Sequence, residues 1–251
     1  MRPAGAARGR AILAALAAAA LILFAADLAL GSVRVPLREV ARALAGLPGD
    51  PTSASIVSVF RLPKALTALA AGAALAVSGL VLQTLFRNHL AGPDSLGLGA
   101  GASVGVALVV LAAGGPGSSL LAGLGTLGYG ALALAASLGA LLVLGLILAL
   151  SRRFDDAVTL LIVGLLVGYL AGSLVSVLVY FGSPQKVQVY LGWTYGSFSS
   201  VTRRELPVLL GSVVLGLALT ARSSKPLNAL LLGERFAEGL GVRVRGARTR
   251  I

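Results

Sequence analysis

Six apolar runs follow one another along the chain, at roughly 11–30, 63–85, 95–113, 129–150, 157–181 and 206–221. Each is near the length a helix needs to cross a hydrocarbon core, since about 20 residues rising about 1.5 Å apiece cover about 30 Å. The intervening stretches carry charge or Gly/Pro punctuation: Arg87-Asn88-His89, Gly114-Gly115-Pro116-Gly117, Arg152-Arg153 with Asp155-Asp156, and Gly182-Ser183-Pro184. The last run is short and needs an upright pose or supporting neighbours. Only 12% of the 251 residues are charged. A soluble domain of this size carries about twice that fraction, so the apolar excess has to face lipid. The expected fold is an all-α polytopic membrane protein with the whole of 1–251 in one transmembrane domain.

Composition removes several chemistries. Without cysteine there is neither a disulfide nor a thiolate metal site, and a single histidine, His89, makes no His cluster. No metal or other cofactor is expected. The net charge of +12 sits among apolar runs, without a soluble basic segment interleaved with aromatics, so a lipid boundary rather than nucleic acid is its expected partner. Gly123-Leu-Gly-Thr-Leu-Gly128 has the dinucleotide spacing but membrane-apolar flanks, and Leu148 where an acid should meet the ribose. Gly101-Ala-Ser-Val-Gly105 has the spacing of a nucleophile elbow, and an intramembrane serine protease built on Ser103 would have only His89 as base. No lysine completes a P-loop, so any ATP-derived energy comes from a partner. An ion-coupled transporter would place acids near mid-span, yet Asp27, near the end of its run, is the one acid well inside an apolar segment.

Arg2, Arg8 and Arg10 before the first run also suit a signal peptide. The length of that run and the five that follow favour an uncleaved first helix. With the N-terminus cytoplasmic, the inside excess of Lys and Arg rests on the tail from Arg222 onward. Arg34, Arg38, Arg42, Arg61 and Lys64 crowd the first external loop and call for another explanation. Gly97, Gly101 and Gly105 recur every four residues in the third run, as Gly164, Gly168 and Gly172 do in the fifth. This spacing lets helix backbones approach closely in lipid, so all six are expected at helix contacts. Gln83 and Asn88 are polar at or beside the second run and suit either a pathway lining or an interhelical hydrogen bond.

Residues 61–105 closely resemble the FecCD family, the permeases of type II ABC importers. The likeness lies in Arg61-Leu-Pro-Lys64, Gln83-Thr-Leu-Phe-Arg-Asn88, Pro93-Asp94-Ser-Leu-Gly97 and Gly101-Ala-Ser103. Two later stretches resemble the family in the same order: Trp193 with Gly196-Ser197-Phe198, and Leu232-Gly233-Glu234-Arg-Phe-Ala237-Glu-Gly-Leu240-Gly241-Val242. The resemblance implies a permease of the bacterial cytoplasmic membrane with its N-terminus inside. It implies a second permease subunit, identical or different, two ATPase subunits below, and an extracytoplasmic binding protein above. The implied cargo is an iron–siderophore, haem or cobalamin-type chelate, with the siderophore ranked first as the commonest in the family.

It also gives roles to residues. Arg61 and Lys64 would receive acidic side chains of the binding protein, the alternative being that both snorkel to the interface. Residues 226–242 would couple to the ATPase through Gly233, Glu234, Ala237, Leu240, Gly241 and Val242. The pattern of that segment agrees, with Leu230, Leu231 and Phe236 set among Glu234, Arg235 and Glu238. An amphipathic segment lying on lipid would read the same way. Lys64 stands in place of the usual second arginine, His89 in place of the usual proline, and Gly92 where an acid is common. Full members have about ten spans, so about four are expected beyond Ile251, in a longer gene product or lost by truncation.

Overall fold

The computed structural model describes residues 4–112, 126–150, 153, 157–231, 233–239, 241 and 246. Among these every regular element is helical. In chain order they are α1 (Ala4–Ala29), α2 (Leu37–Ala45), α3 (Pro51–Phe86), α4 (Leu98–Ala107, continued by a π turn Leu108–Ala112), α5 (Thr126–Leu150), α6 (Ala157–Phe181), α7 (Pro184–Thr194), α8 (Leu206–Arg222), α9 (Ser224–Leu231) and α10 (Glu234–Gly239).

Four stretches are long and apolar enough to cross a membrane: Ala7–Ala29, Pro51–Phe86, Gly130–Leu150 and Val158–Phe181. A fifth arises if α8 and α9, bent by 56° at Ser223, count as one broken span. The third apolar run differs from expectation. Its first residues go into a 3₁₀ turn, Asp94–Leu96, and Gly97 takes a left-handed φ of 73°, so the helix begins only at Leu98. Among the described residues, the helix Leu98–Leu111 rises about 20 Å. Little of the apolar surface is covered by protein: 6% of the most apolar window of α1 and 6% of that of α6 is buried. In water such faces would aggregate, and in lipid they need no cover.

The described chain forms two compact units, residues 1–70 with 198–210, and residues 71–197 with 211–251. The core of the first gathers Leu28 and Ala29 of α1, Val35, Val40 of α2, and Val57 and Ala65 of α3. Its main irregularity is a π turn at Ile56–Arg61 inside α3. The cause is Pro63, which has no N–H and whose ring presses on the carbonyl four residues before it. The Leu62 N–H bonds to the Val57 carbonyl, five residues back, and the widened turn admits the buried proline. Asp50 caps the start of α3 by accepting a 2.8 Å bond from the Ser53 N–H. Those bonds from Ser53 hold the Asp50 carboxyl below its ordinary 3.8, so the cap weakens as pH falls through that lowered value. At the start of α8, Glu205 accepts from both the N–H and the hydroxyl of Thr202, each at 2.9 Å.

The second unit packs α4 against α5 and α6. One cluster joins Val106, Ala107, Val110 and Leu111 to Leu132 and to Tyr190 of α7. Another joins Phe86, Ala91 and Leu96 to Ile147 and Leu160. The glycines decide how near these helices come. A Cβ on Gly101 would stand 2.7 Å from the Gly139 carbonyl oxygen, and one on Gly105 2.8 Å from the Ala135 carbonyl carbon and nearer still to its oxygen. A Cβ on Gly97 would stand 2.9 Å from the Gly164 oxygen, and one on Gly164 2.8 Å from the Cα of Leu96. Gly168 lies across from Gly97 at ordinary contact distance. Gly172 departs from the expected contact set, because nothing lies within 4 Å of a Cβ placed there. One further turn along α6 from Gly168, the helix faces have diverged.

Candidate functional site

Three places carry the polar residues and those expected to couple, and each is built by a local irregularity. The first is in the first unit, where the π turn of α3 delivers Arg61. Its Nη1 donates 2.8 Å to the Leu28 carbonyl and its Nη2 donates to the Val33 carbonyl. Leu28 is in the last turn of α1, whose carbonyls have no intrahelical partner and carry the negative end of the helix dipole. The guanidinium thus caps α1 and holds the chain that leaves it. Gly31 makes room, since a Cβ there would stand 2.8 Å from Nη2 of Arg61. One turn on, Lys64 Nζ pairs with Asp27 at 3.2 Å, with both side chains more than a third exposed. Both cations assigned to docking by resemblance therefore have partners within the chain. An ion pair this exposed contributes at most about 1 kcal/mol. Lys64→Ala is accordingly expected to shift thermal unfolding in detergent by less than about 1 kcal/mol.

The second place is the turn after α3. Gln83 Nε2 donates 3.1 Å to the His89 carbonyl, and the Asn88 N–H donates 3.2 Å to the Gln83 carbonyl. Asn88 Oδ1 accepts from the Leu90 N–H at 2.9 Å, and the Ser95 hydroxyl bonds the Gly92 carbonyl at 2.7 Å. Arg87 has a positive φ of 48°. Among the described residues, these side chains serve as partners for the backbone where the helix stops. His89 is exposed, and no group of three or more His, Asp or Glu side chains suited to a metal occurs among the described residues. Ser103 lies inside α4 rather than at a strand-to-helix turn, and Gly128 lies inside α5, while Gly123 and Gly125 fall outside the described residues.

The third place is the short hairpin of α9 and α10. Gly233 turns between them at φ 114°, donating 3.0 Å to the Leu230 carbonyl and accepting 2.9 Å from the Ala237 N–H. Ala237 is fully buried against Ala229 and Leu230, whereas Leu231 and Phe236 are 58% and 52% exposed. Glu234 opens α10, and Gly241 has φ 81°. Leu240 and Val242 lie outside the described residues. A Cβ on Gly233 would stand 3.9 Å from Nη1 of Arg87, so the turn after α3 and the hairpin meet. An L side chain at φ 114° is strained whatever the space. Gly233→Ala is expected to destabilise the hairpin by about 1–2 kcal/mol, read as faster amide exchange over 224–239. Gly216→Ala, in open space on α8, should leave exchange there unchanged.

Sequence reasoning missed Asp27 as the partner of Lys64 and Gly139 as the surface facing Gly101 and Gly105. The second had a signal, since Ala135 and Gly139 have the same four-residue spacing of small residues.

The profile of the FecCD transport family matches residues 19–251. The vitamin B12 import system permease BtuC of Escherichia coli O127:H6 is 36% identical over 199 residues, which cover 78% of this chain and 58% of the relative. The BtuC of strain O157:H7 is 35% identical over 198 residues, covering 78% and 57%. The chain thus spans less than two thirds of the length of the curated relatives it matches. Among solved structures, a transporter assigned to the metal-chelate ABC type, in an inward-facing conformation, superposes with a TM-score of 0.74 at 28% identity. That superposition covers 95% of this chain and 70% of the other. The chain belongs to the FecCD transport family.

Proposed function

We propose that the chain is the membrane-spanning permease portion of an ABC importer for a chelated metal, cobalamin or iron–siderophore in kind. The observation that carries this is the family match over 19–251, which takes in both the Arg61-to-Gly105 region and the α9–α10 hairpin. In this reading α3 runs through the bilayer, with the Arg61 turn outside and the Gln83 turn inside, about 33 Å of helix apart. The N-terminus is then cytoplasmic.

The hairpin suits the task of coupling. Its small buried face of Ala229, Leu230 and Ala237 makes it a compact body, and exposed Leu231 and Phe236 offer apolar anchors for a groove on a separate ATPase. Movement of the ATPases would displace the hairpin, and the α8–α9 bend at Ser223 would pass the displacement to α8. Arg61 and Lys64 supply the positive charge that an acidic external binding protein would meet, with Asp27 as an internal competitor for Lys64. The relatives named for vitamin B12 support cobalamin as cargo, and the prevalence of siderophore uptake in the family supports iron. Asp27, the acid an ion-coupled mechanism would need, is held by Lys64.

The test is uptake of radiolabelled cyanocobalamin and ferric siderophore in cells lacking their own chelate permeases and carrying this gene with its neighbours. ATP-dependent accumulation of either, lost on Phe236→Asp, supports the reading. Accumulation of neither, or accumulation that persists without ATP and collapses with the ion gradient, overturns it.

A further inference from the structure

The first unit contains a groove that the importer reading does not use. It is a cavity of about 640 Å³ along the C-terminal half of α1, floored by Ile22, Ala25, Ala26 and Ala29 and walled by Val35 and Pro36 of the departing chain. That volume falls within the about 300–1,000 Å³ common for small-molecule sites. The floor residues recur at helical spacing, so the groove runs parallel to a helix that is long and apolar enough to cross a membrane. Its alanines leave the hollow, because larger side chains on that face would fill it. Its lining is otherwise apolar, and one ionisable residue, Arg34, stands among the lining residues.

Arg34 is exposed and makes no hydrogen bond or ion pair among the described residues, although every neighbouring acid is engaged. Glu39 is paired with Arg42 at 2.8 Å and Asp27 with Lys64 at 3.2 Å. Arg38, on the exposed side of α2, adds a second positive charge at the same end. An apolar groove along a helix suited to cross a bilayer, with Arg34 among its lining residues and a surplus of positive charge nearby, has the complement of one ligand class. We propose that this groove holds an anionic phospholipid, with one acyl chain along α1 and the phosphate diester on Arg34. A guanidinium binds phosphate through paired N–H donors, and each buried methylene of the chain adds favourable transfer energy. The net negative headgroup is selected over a zwitterionic one because no acid lines the groove to receive a choline or ethanolamine cation. This inference requires only that α1 lies in a bilayer and stands apart from the cargo and from any partner protein.

Native mass spectrometry of the full chain, stripped of lipid in detergent and titrated with dipalmitoyl phosphatidylglycerol or dipalmitoyl phosphatidylcholine, tests it. Phosphatidylglycerol is expected to bind at least ten-fold more tightly. Arg34→Ala should remove that preference, and Ala26→Phe, which fills the floor, should weaken binding of both lipids about ten-fold. Arg38→Ala should keep most of the preference. Circular dichroism confirms that each variant retains its helix, and Ala25→Leu serves in place of Ala26→Phe if the larger ring disrupts α1. Equal affinity for the two lipids, unchanged binding in Arg34→Ala, or unchanged binding in a folded floor variant each overturns the proposal. Because no transport is read, a failed uptake assay leaves this result standing, and the reverse also holds.

Discussion

Replacing Gly105 with leucine is expected to separate α4 from α5 and to cost the second unit about 3 kcal/mol or more. Adding methylenes to a packed interior typically costs about 1–3 kcal/mol because neighbouring side chains can yield. Here they cannot, for the first atoms met belong to the Ala135 peptide, whose carbonyl carbon lies 2.8 Å from a Cβ on Gly105. The two backbones must move apart, and the contacts of Val106 and Val110 with Leu132 go with them. Thermal unfolding in detergent, followed by near-ultraviolet dichroism and size-exclusion profile, measures the loss. Gly139→Leu should behave alike from the opposite side, since a Cβ there overlaps the Gly101 carbonyl. Gly172→Ala is the counterpart, with nothing within 4 Å, and should stay within about 0.5 kcal/mol of the parent. Equal effects at Gly105 and Gly172 would contradict the packing described for this unit.

The second large effect is expected at Arg61. Arg61→Ala removes the bonds to the Leu28 and Val33 carbonyls together and leaves the end of α1 without its cation. Charge-assisted bonds contribute about 1.5–3 kcal/mol each when shielded, and these are only partly so, which puts the loss near 2–3 kcal/mol. Amide exchange across residues 28–40 should rise well before that of α3. Arg61→Lys should recover less than half, because an ammonium on a flexible stem cannot hold two carbonyls in the fixed fork of a guanidinium. Gly31→Ala should reproduce part of the effect, since its Cβ would stand 2.8 Å from Nη2 of Arg61. The double variant should then be no worse than Arg61→Ala alone, as expected of two residues acting through one contact. Full additivity would show that Arg61 does not act through these carbonyls.

The same residues show how far sequence reading reached. Apolar runs separated by charged and glycine–proline breaks were enough to expect a helical membrane protein. They placed α1, the long apolar part of α3, α5 and α6 within a few residues, because a run of about 20 apolar residues has few other stable solutions in lipid. The family motifs marked residues 226–242 as short coupling helices, and within that stretch the structure puts a turn at Gly233 and buries Ala237. The third run misled on where its helix starts. Its apolar count suits a span, but the 3₁₀ turn and the left-handed Gly97 are local backbone choices that hydropathy does not register. Gly172 fits the four-residue spacing as well as Gly164 does, and only the divergence of the helix faces leaves it without a contact.

By itself the sequence determined the class of the molecule, the approximate positions of its apolar helices and its family. Those properties depend on periodicity, composition and motif order, all of which are local along the chain. The tertiary structure alone decided what the cations do. Arg61 is separated by 33 residues from the carbonyl it caps and Lys64 by 37 from the carboxylate it pairs with, and no local pattern links such positions. Likewise, spacing shows where two backbones can touch, but three-dimensional packing sets Gly139 against Gly101 and Gly105 and opens a groove beside Arg34. Contacts between residues far apart in sequence depend on where whole helices cross, and that is settled by the packing of all of them together.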